Sequence, residues 1–115
     1  MEPAPATADW AEAAYRALSA DPACRWTLES LAHSLGSSAR SLQRRLQDGG
    51  CNFSTLLMQA RLARSAQLLA SSRQPPAQVG YVCGFSDQAH FTRAFKLHTA
   101  LTPLQYRDRF ACPAD

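Results

Sequence analysis

Lysine is nearly absent from this chain: Lys96 is the only one, and every other basic residue is an arginine. No apolar run approaches the roughly 18 residues that a membrane span requires. The opening MEPAPATADW has neither a basic n-region nor an apolar h-region, so neither a membrane-spanning nor a secreted protein is expected, and the cytoplasm is the expected compartment. Cys24, Cys51, Cys83 and Cys112 are widely scattered, with no C-x-x-C pair and no histidine at zinc-ligand spacing. They read as reduced thiols, mostly packed as small apolar side chains, and no metal or cofactor is expected. No acid/base pair or phosphate-cradling glycine loop stands out. At 115 residues the chain is also too short for a barrel or a doubly wound sheet, so it does not read as an enzyme. No segment has the pattern of a strand.

What is present is a globular composition, 46% hydrophobic and 18% charged, with a net charge of +3. The charge is unevenly placed. Residues 1–35 hold Arg16 and Arg25 against five acids, whereas residues 36–73 hold Arg40, Arg44, Arg45, Arg61, Arg64 and Arg73 against Asp48 alone. A basic middle with so little acidic compensation points to a polyanionic partner.

The periodicity predicts an all-α fold of about seven helices. Residues 1–8 are rich in Pro and Ala and read as a linker or flexible N-terminus. Asp9 is placed to cap a helix running to Ala20, which Asp21-Pro22 ends. Thr27 starts a short helix with Leu28, Leu31, Ala32 and Leu35 inward, and Gly36 ends it. Ser37 or Ser38 caps the next, with Leu42 and Leu46 inward, and Asp48-Gly49-Gly50 closes it. A long helix follows over 53–71, about 28 Å at 1.5 Å per residue. Pro76 opens another helix, with Val79 to Cys83, which Gly84 ends. Ser86 is the expected cap of a helix with Phe91 and Phe95 inward, and Thr102-Pro103 starts the last.

Two segments share one plan. Leu31-Ala32-x-x-Leu35-Gly36, a turn and Leu42-x-Arg44-x-Leu46 are followed by Val79-Gly80-x-x-Cys83-Gly84, a turn and Phe91-x-Arg93-x-Phe95. The offset is 48 positions before the turn (Leu31 to Val79) and 49 after it (Leu42 to Phe91), so the second turn is one residue longer. A short helix, a glycine turn and a second helix with buried residues at i and i+4 is the helix-turn-helix pattern. With Leu42 and Leu46 inward, Arg40, Gln43, Arg44 and Gln47 point outward, and Arg45 falls at the core edge, suited to a phosphate or an internal salt bridge. The second helix turns Ala89, Thr92, Arg93 and Lys96 outward, with His90 on one flank; His33 reads as structural. Arginine can donate twice to guanine, glutamine can pair with adenine, and alanine can meet a thymine methyl. Ser38 and Ser86, at helix starts, suit phosphate. Trp10 and Trp26 read as core of the first unit, and Arg61 and Arg64 as surface or phosphate residues.

The segments LESLAHSLGSSARSLQRRLQ and VGYVCGFSDQAHFTRAFKLHTALTPLQYR resemble the two helix-turn-helix units of the AraC/XylS family of bacterial transcription regulators. The most specific run is Gly84-Phe85-x-Asp87-x-x-x-Phe91-x-Arg93-x-Phe95-Lys96, then Thr102-Pro103-x-x-Tyr106-Arg107. The resemblance implies a first unit over 9–52, a connecting helix over 53–71 and a second unit over 72–115. It implies binding to double-stranded promoter DNA, reading of two successive major grooves, activation through bacterial RNA polymerase, and a separate effector-binding or dimerisation domain N-terminal to this segment. By motif position the base contacts fall on Arg40, Gln43 and Arg44, and on Gln88, Ala89, His90, Thr92 and Arg93. Phosphate contacts are expected at Ser38, Arg45, Gln47, Ser86 and Lys96. Three departures from the family pattern lie in the second unit: Thr99-Ala100 in place of Phe-Gly, which removes both an aromatic plug and a glycine suited to left-handed backbone, and Gly80 in place of Ala, a loss of roughly 1 kcal/mol in helix propensity. Together they predict that the first unit carries more of the sequence reading. The alternative is a helical interaction domain whose arginine face meets an acidic protein; a steep salt dependence separates the two.

Overall fold

The computed structural model describes residues 10–111. Among these residues there are seven helices and no strand: α1 (Trp10–Ala20), α2 (Leu28–Ser34), α3 (Ala39–Asp48), α4 (Phe53–Ser71), α5 (Pro76–Val82), α6 (Gln88–Thr99) and α7 (Pro103–Phe110). No described helix is long and apolar enough to cross a membrane. The chain forms two compact units, divided after Ala60 within α4. The expected cap at Asp9 lies outside the described residues.

In the first unit α1 buries Trp10, Ala14 and Leu18, a strict i, i+4 stripe. It meets Leu31 and Ala32 of α2, Leu42 and Leu46 of α3, and Leu56 and Ala60 from the first half of α4. Thr27 and Ser30 form a reciprocal capping box at the start of α2. Trp26 is only half-buried, its indole N–H donating to Asp21 O at 2.8 Å.

In the second unit, the later half of α4 contributes Leu62, Ser65 and Leu69, α5 contributes Val79 and Cys83, and α6 contributes Phe91 and Phe95. Phe85, Phe91, Phe95, Tyr106 and Phe110 form a chain of ring contacts at centroid distances of 4.6–5.7 Å. The guanidinium of Arg107 donates to Leu69 O at 3.1 Å and to Gln74 O. It thereby supplies partners for a carbonyl at the C-terminal end of α4 and for the turn that follows.

The repeat seen in the sequence recurs hydrogen bond by hydrogen bond. Gly36 N–H donates to His33 O at 3.1 Å and Ser37 N–H to Ala32 O at 2.8 Å. Gly84 N–H donates to Tyr81 O at 3.1 Å and Phe85 N–H to Gly80 O at 2.9 Å. Gly36 (φ 69°) and Gly84 (φ 100°) take the left-handed backbone that closes each turn.

Three local expectations change. The cap of α6 is Asp87, whose carboxylate accepts from Ala89 N–H at 2.9 Å, and not Ser86. The two-part offset explains this: Ser38 shifted by 49 lands on Asp87, and Ser86 is the extra residue of the longer turn. Second, Gly80 is more than a loss of propensity, because a Cβ there would stand 2.7 Å from Cδ2 of Phe91. Third, Thr99 adds hydrogen bonds where the sequence predicts only the loss of an aromatic plug: its hydroxyl lies within 3.0 Å of Phe95 O and Leu101 O and accepts from Leu101 N–H. Ala100 between them is left-handed at φ 67°, as its place in the motif predicts. Of the thiols, Cys83 is buried and Cys51 half-buried, while Cys24 is exposed rather than packed; Cys112 lies outside the described residues.

Candidate nucleic-acid interface

Helix α3 is strongly two-sided. Ser38 starts it, its hydroxyl accepting from Ser41 N–H at 3.2 Å. Leu42 and Leu46 are fully buried, whereas Arg40, Gln43, Arg44 and Gln47 are exposed together on the opposite side and line one open surface hollow with Ser41. No carboxylate among the described residues pairs with Arg40 or Arg44. The face therefore offers two guanidinium forks and two carboxamides to solvent, a donor-rich edge able to bond base edges and phosphates.

Helix α6 repeats the geometry with a different surface. Phe91 and Phe95 are fully buried; Gln88, Ala89, His90, Arg93 and Lys96 are exposed and Thr92 is half-buried. The His90 ring stands edge-on to Phe85, centroids 5.7 Å apart, which fixes it beside the first turn of the helix. Asp87 places a carboxylate at the N-terminus of α6, where Ser86 was expected to leave backbone N–H groups for phosphate. Ser86 itself is exposed.

Arg45 departs from its companions. It is half-buried, and its guanidinium carbon lies 4.5 Å from the centroid of the Trp10 ring, a cation–π contact rather than an internal salt bridge. Trp10 lies 35 positions earlier, on a helix outside the repeated plan, so no spacing rule could pair them. On α4, Arg64 donates to Gln67 Oε1 at 2.7 Å. Arg61 lies against the second turn, since a Cβ on Gly84 would meet its Nε at 2.7 Å. His33, expected to be structural, is exposed in the last turn of α2.

The helix-turn-helix domain family matches residues 31–109, the stretch that carries both turn-linked helix pairs. The AraC-type DNA-binding domain structure from Chromobacterium violaceum superposes with a TM-score of 0.81 at 28% identity, over 91% of this chain and 95% of that one. The chain belongs to the AraC/XylS family. Among AraC/XylS relatives, the dual transcriptional regulator Rns of Escherichia coli is 32% identical over 82 residues, 71% of this chain and 31% of its own. The transcriptional activator AggR of Escherichia coli is 33% identical over 86 residues, 75% of this chain and 32% of its own. The chain thus spans about a third of the length of these curated relatives.

Proposed function

We propose that this chain is the DNA-reading part of a transcriptional activator, with α3 and α6 entering successive major grooves of promoter DNA. The observation that carries this reading is the exposure of Arg40, Gln43, Arg44 and Gln47 on one side of α3 directly opposite buried Leu42 and Leu46. A helix-turn-helix reads DNA with the outer side of its second helix. Base contacts are assigned to Arg40, Gln43 and Arg44 on α3, and to Gln88, Ala89, His90, Thr92 and Arg93 on α6. Ser38, Arg45, Gln47, Ser86 and Lys96 hold phosphates. The activator's other partners are bacterial RNA polymerase and an effector-binding or dimerisation domain preceding this segment; AggR, a transcriptional activator three times as long as the matched stretch, supports that reading. The protein acts in the cytoplasm, on nucleoid DNA.

The test is selection of bound oligonucleotides from a random pool. Two short boxes about one helical turn (34–36 Å) apart are the expected result. Recovery of no enriched sequence, or binding that hardly weakens between low and high salt, overturns the reading.

A further inference from the structure

Trp10 is a poor choice for a purely apolar core position. It is 2% exposed, yet its indole Nε1–H has no hydrogen-bond partner among the described residues. An unsatisfied buried N–H is unfavourable, and leucine or phenylalanine would fill apolar space without one. What tryptophan offers beyond them is the strongest π face for a cation, and that face is occupied by the Arg45 guanidinium at 4.5 Å.

Arg45 has no carboxylate partner among the described residues. A cation–π contact through the guanidinium carbon is not a hydrogen bond, so it holds the group without a carboxylate taking up its donors. Arg45 also belongs to α3, adjacent in sequence to Arg44 and on the flank of the outward side. A helix seated in a major groove has a sugar-phosphate wall along each flank.

We infer that Trp10 is a positioning residue of the DNA interface: its ring holds the Arg45 guanidinium in the orientation that grips a backbone phosphate beside α3. The inference rests on the DNA-binding reading above. It extends the interface to α1, which lies outside the helix-turn-helix pair. A free arginine must lose rotamer freedom when it meets a phosphate; one held on a ring has already lost much of it.

The test is the salt dependence of binding to a selected duplex and to an unselected one, for wild type, R45A, W10L and the double variant. Circular dichroism and thermal melting verify the fold, and W10F serves as the conservative variant. Loss of one phosphate contact lowers the slope of log K against log salt by about 0.9. R45A is expected to show that drop on both duplexes. W10L is expected to lower the slope in the same direction with about a fivefold loss of affinity, W10F to give a slope between those of W10L and wild type, and the double variant to fall no further than R45A. A W10L slope equal to wild type overturns the inference, as does a wild-type slope in R45A, even if affinity falls. If W10L does not fold, the same comparison is made with W10F, whose weaker π face predicts an intermediate slope; a wild-type slope there also overturns it. Failure of the wild-type protein to bind either duplex refutes the DNA reading itself, and is thereby distinguished from failure of Trp10's role.

Discussion

A Cβ on Gly80 would stand 2.7 Å from Cδ2 of Phe91, closer than packed atoms allow. The repeat explains the contact. Ala32 and Leu42 occupy the equivalent positions of the first unit, so one unit pairs a methyl with an isobutyl group and the other pairs no side chain with a benzyl group. The total volume is partitioned differently for the same job, and the propensity lost at Gly80 makes room for the larger ring. G80A should therefore destabilise the protein by about 1–3 kcal/mol, despite alanine's better helix propensity. G80A/F91L should recover much of the loss, because it recreates the pairing of the first unit. Urea unfolding of the three proteins measures this; additive losses would show that the two positions do not compensate.

Ala100 holds a left-handed backbone at φ 67°. A Cβ is disfavoured there by about 1 kcal/mol or more. A100G should raise stability by about 1 kcal/mol, with no change in DNA affinity, since the residue lies past the C-terminal end of α6. Chemical denaturation alongside a gel shift tests both halves.

Asp87 both caps α6 and sets a negative charge at its N-terminus. D87A should cost about 1 kcal/mol of stability through loss of the cap. S86A should cost almost nothing, the reverse of what the sequence predicts. D87N preserves the cap acceptor and removes the charge, so it should bind duplex DNA more tightly than wild type at low salt. Equal affinity would mean that no phosphate approaches this end of the helix.

Arg44 and Arg93 are the matched exposed arginines of the two units. Alanine at either should cost about 1–3 kcal/mol on a selected duplex if the side chain reads a guanine, and distinctly less on an unselected one. With Gly80 accommodated by Phe91, one reason for ranking the first unit above the second disappears. The two losses, compared by gel shift on the same duplex, give the ranking directly.

Burial pushes the Cys83 thiol pKa up from its ordinary value, opposed in part by a hydrogen bond with Ser65 and by the nearby Arg64 charge. A raised pKa in the folded state means that the unfolded chain releases this proton first. The stabilising contribution is thus complete below the unfolded thiol's pKa of about 8.5 and is lost as pH rises through the folded value. Wild type should lose stability across that alkaline window more steeply than C83A, as followed by thermal melting against pH. Parallel profiles would rule out Cys83 as the source.

Helices, turns and both outward faces were legible because each rests on local rules. The stripe Trp10, Ala14, Leu18, the capping residues Thr27 and Ser38, and glycines 36 and 84 all act within a few positions along the chain. What escaped was either tertiary or a matter of register. The Arg45–Trp10 contact joins residues far apart in sequence. The tight approach of Phe91 to Gly80 depends on how closely two helices pack. Ser86 stands one residue before the cap, because the longer turn moves the equivalent of Ser38 to Asp87.

Arg107 fills carbonyls of Leu69 and Gln74, residues 38 and 33 positions earlier. During synthesis these oxygens leave the ribosome long before their donor does. The described core of the first unit ends at Ala60, whereas these two carbonyls of the second meet their guanidinium donor only in α7. The chain can therefore close one compact unit before the last contacts of the other exist.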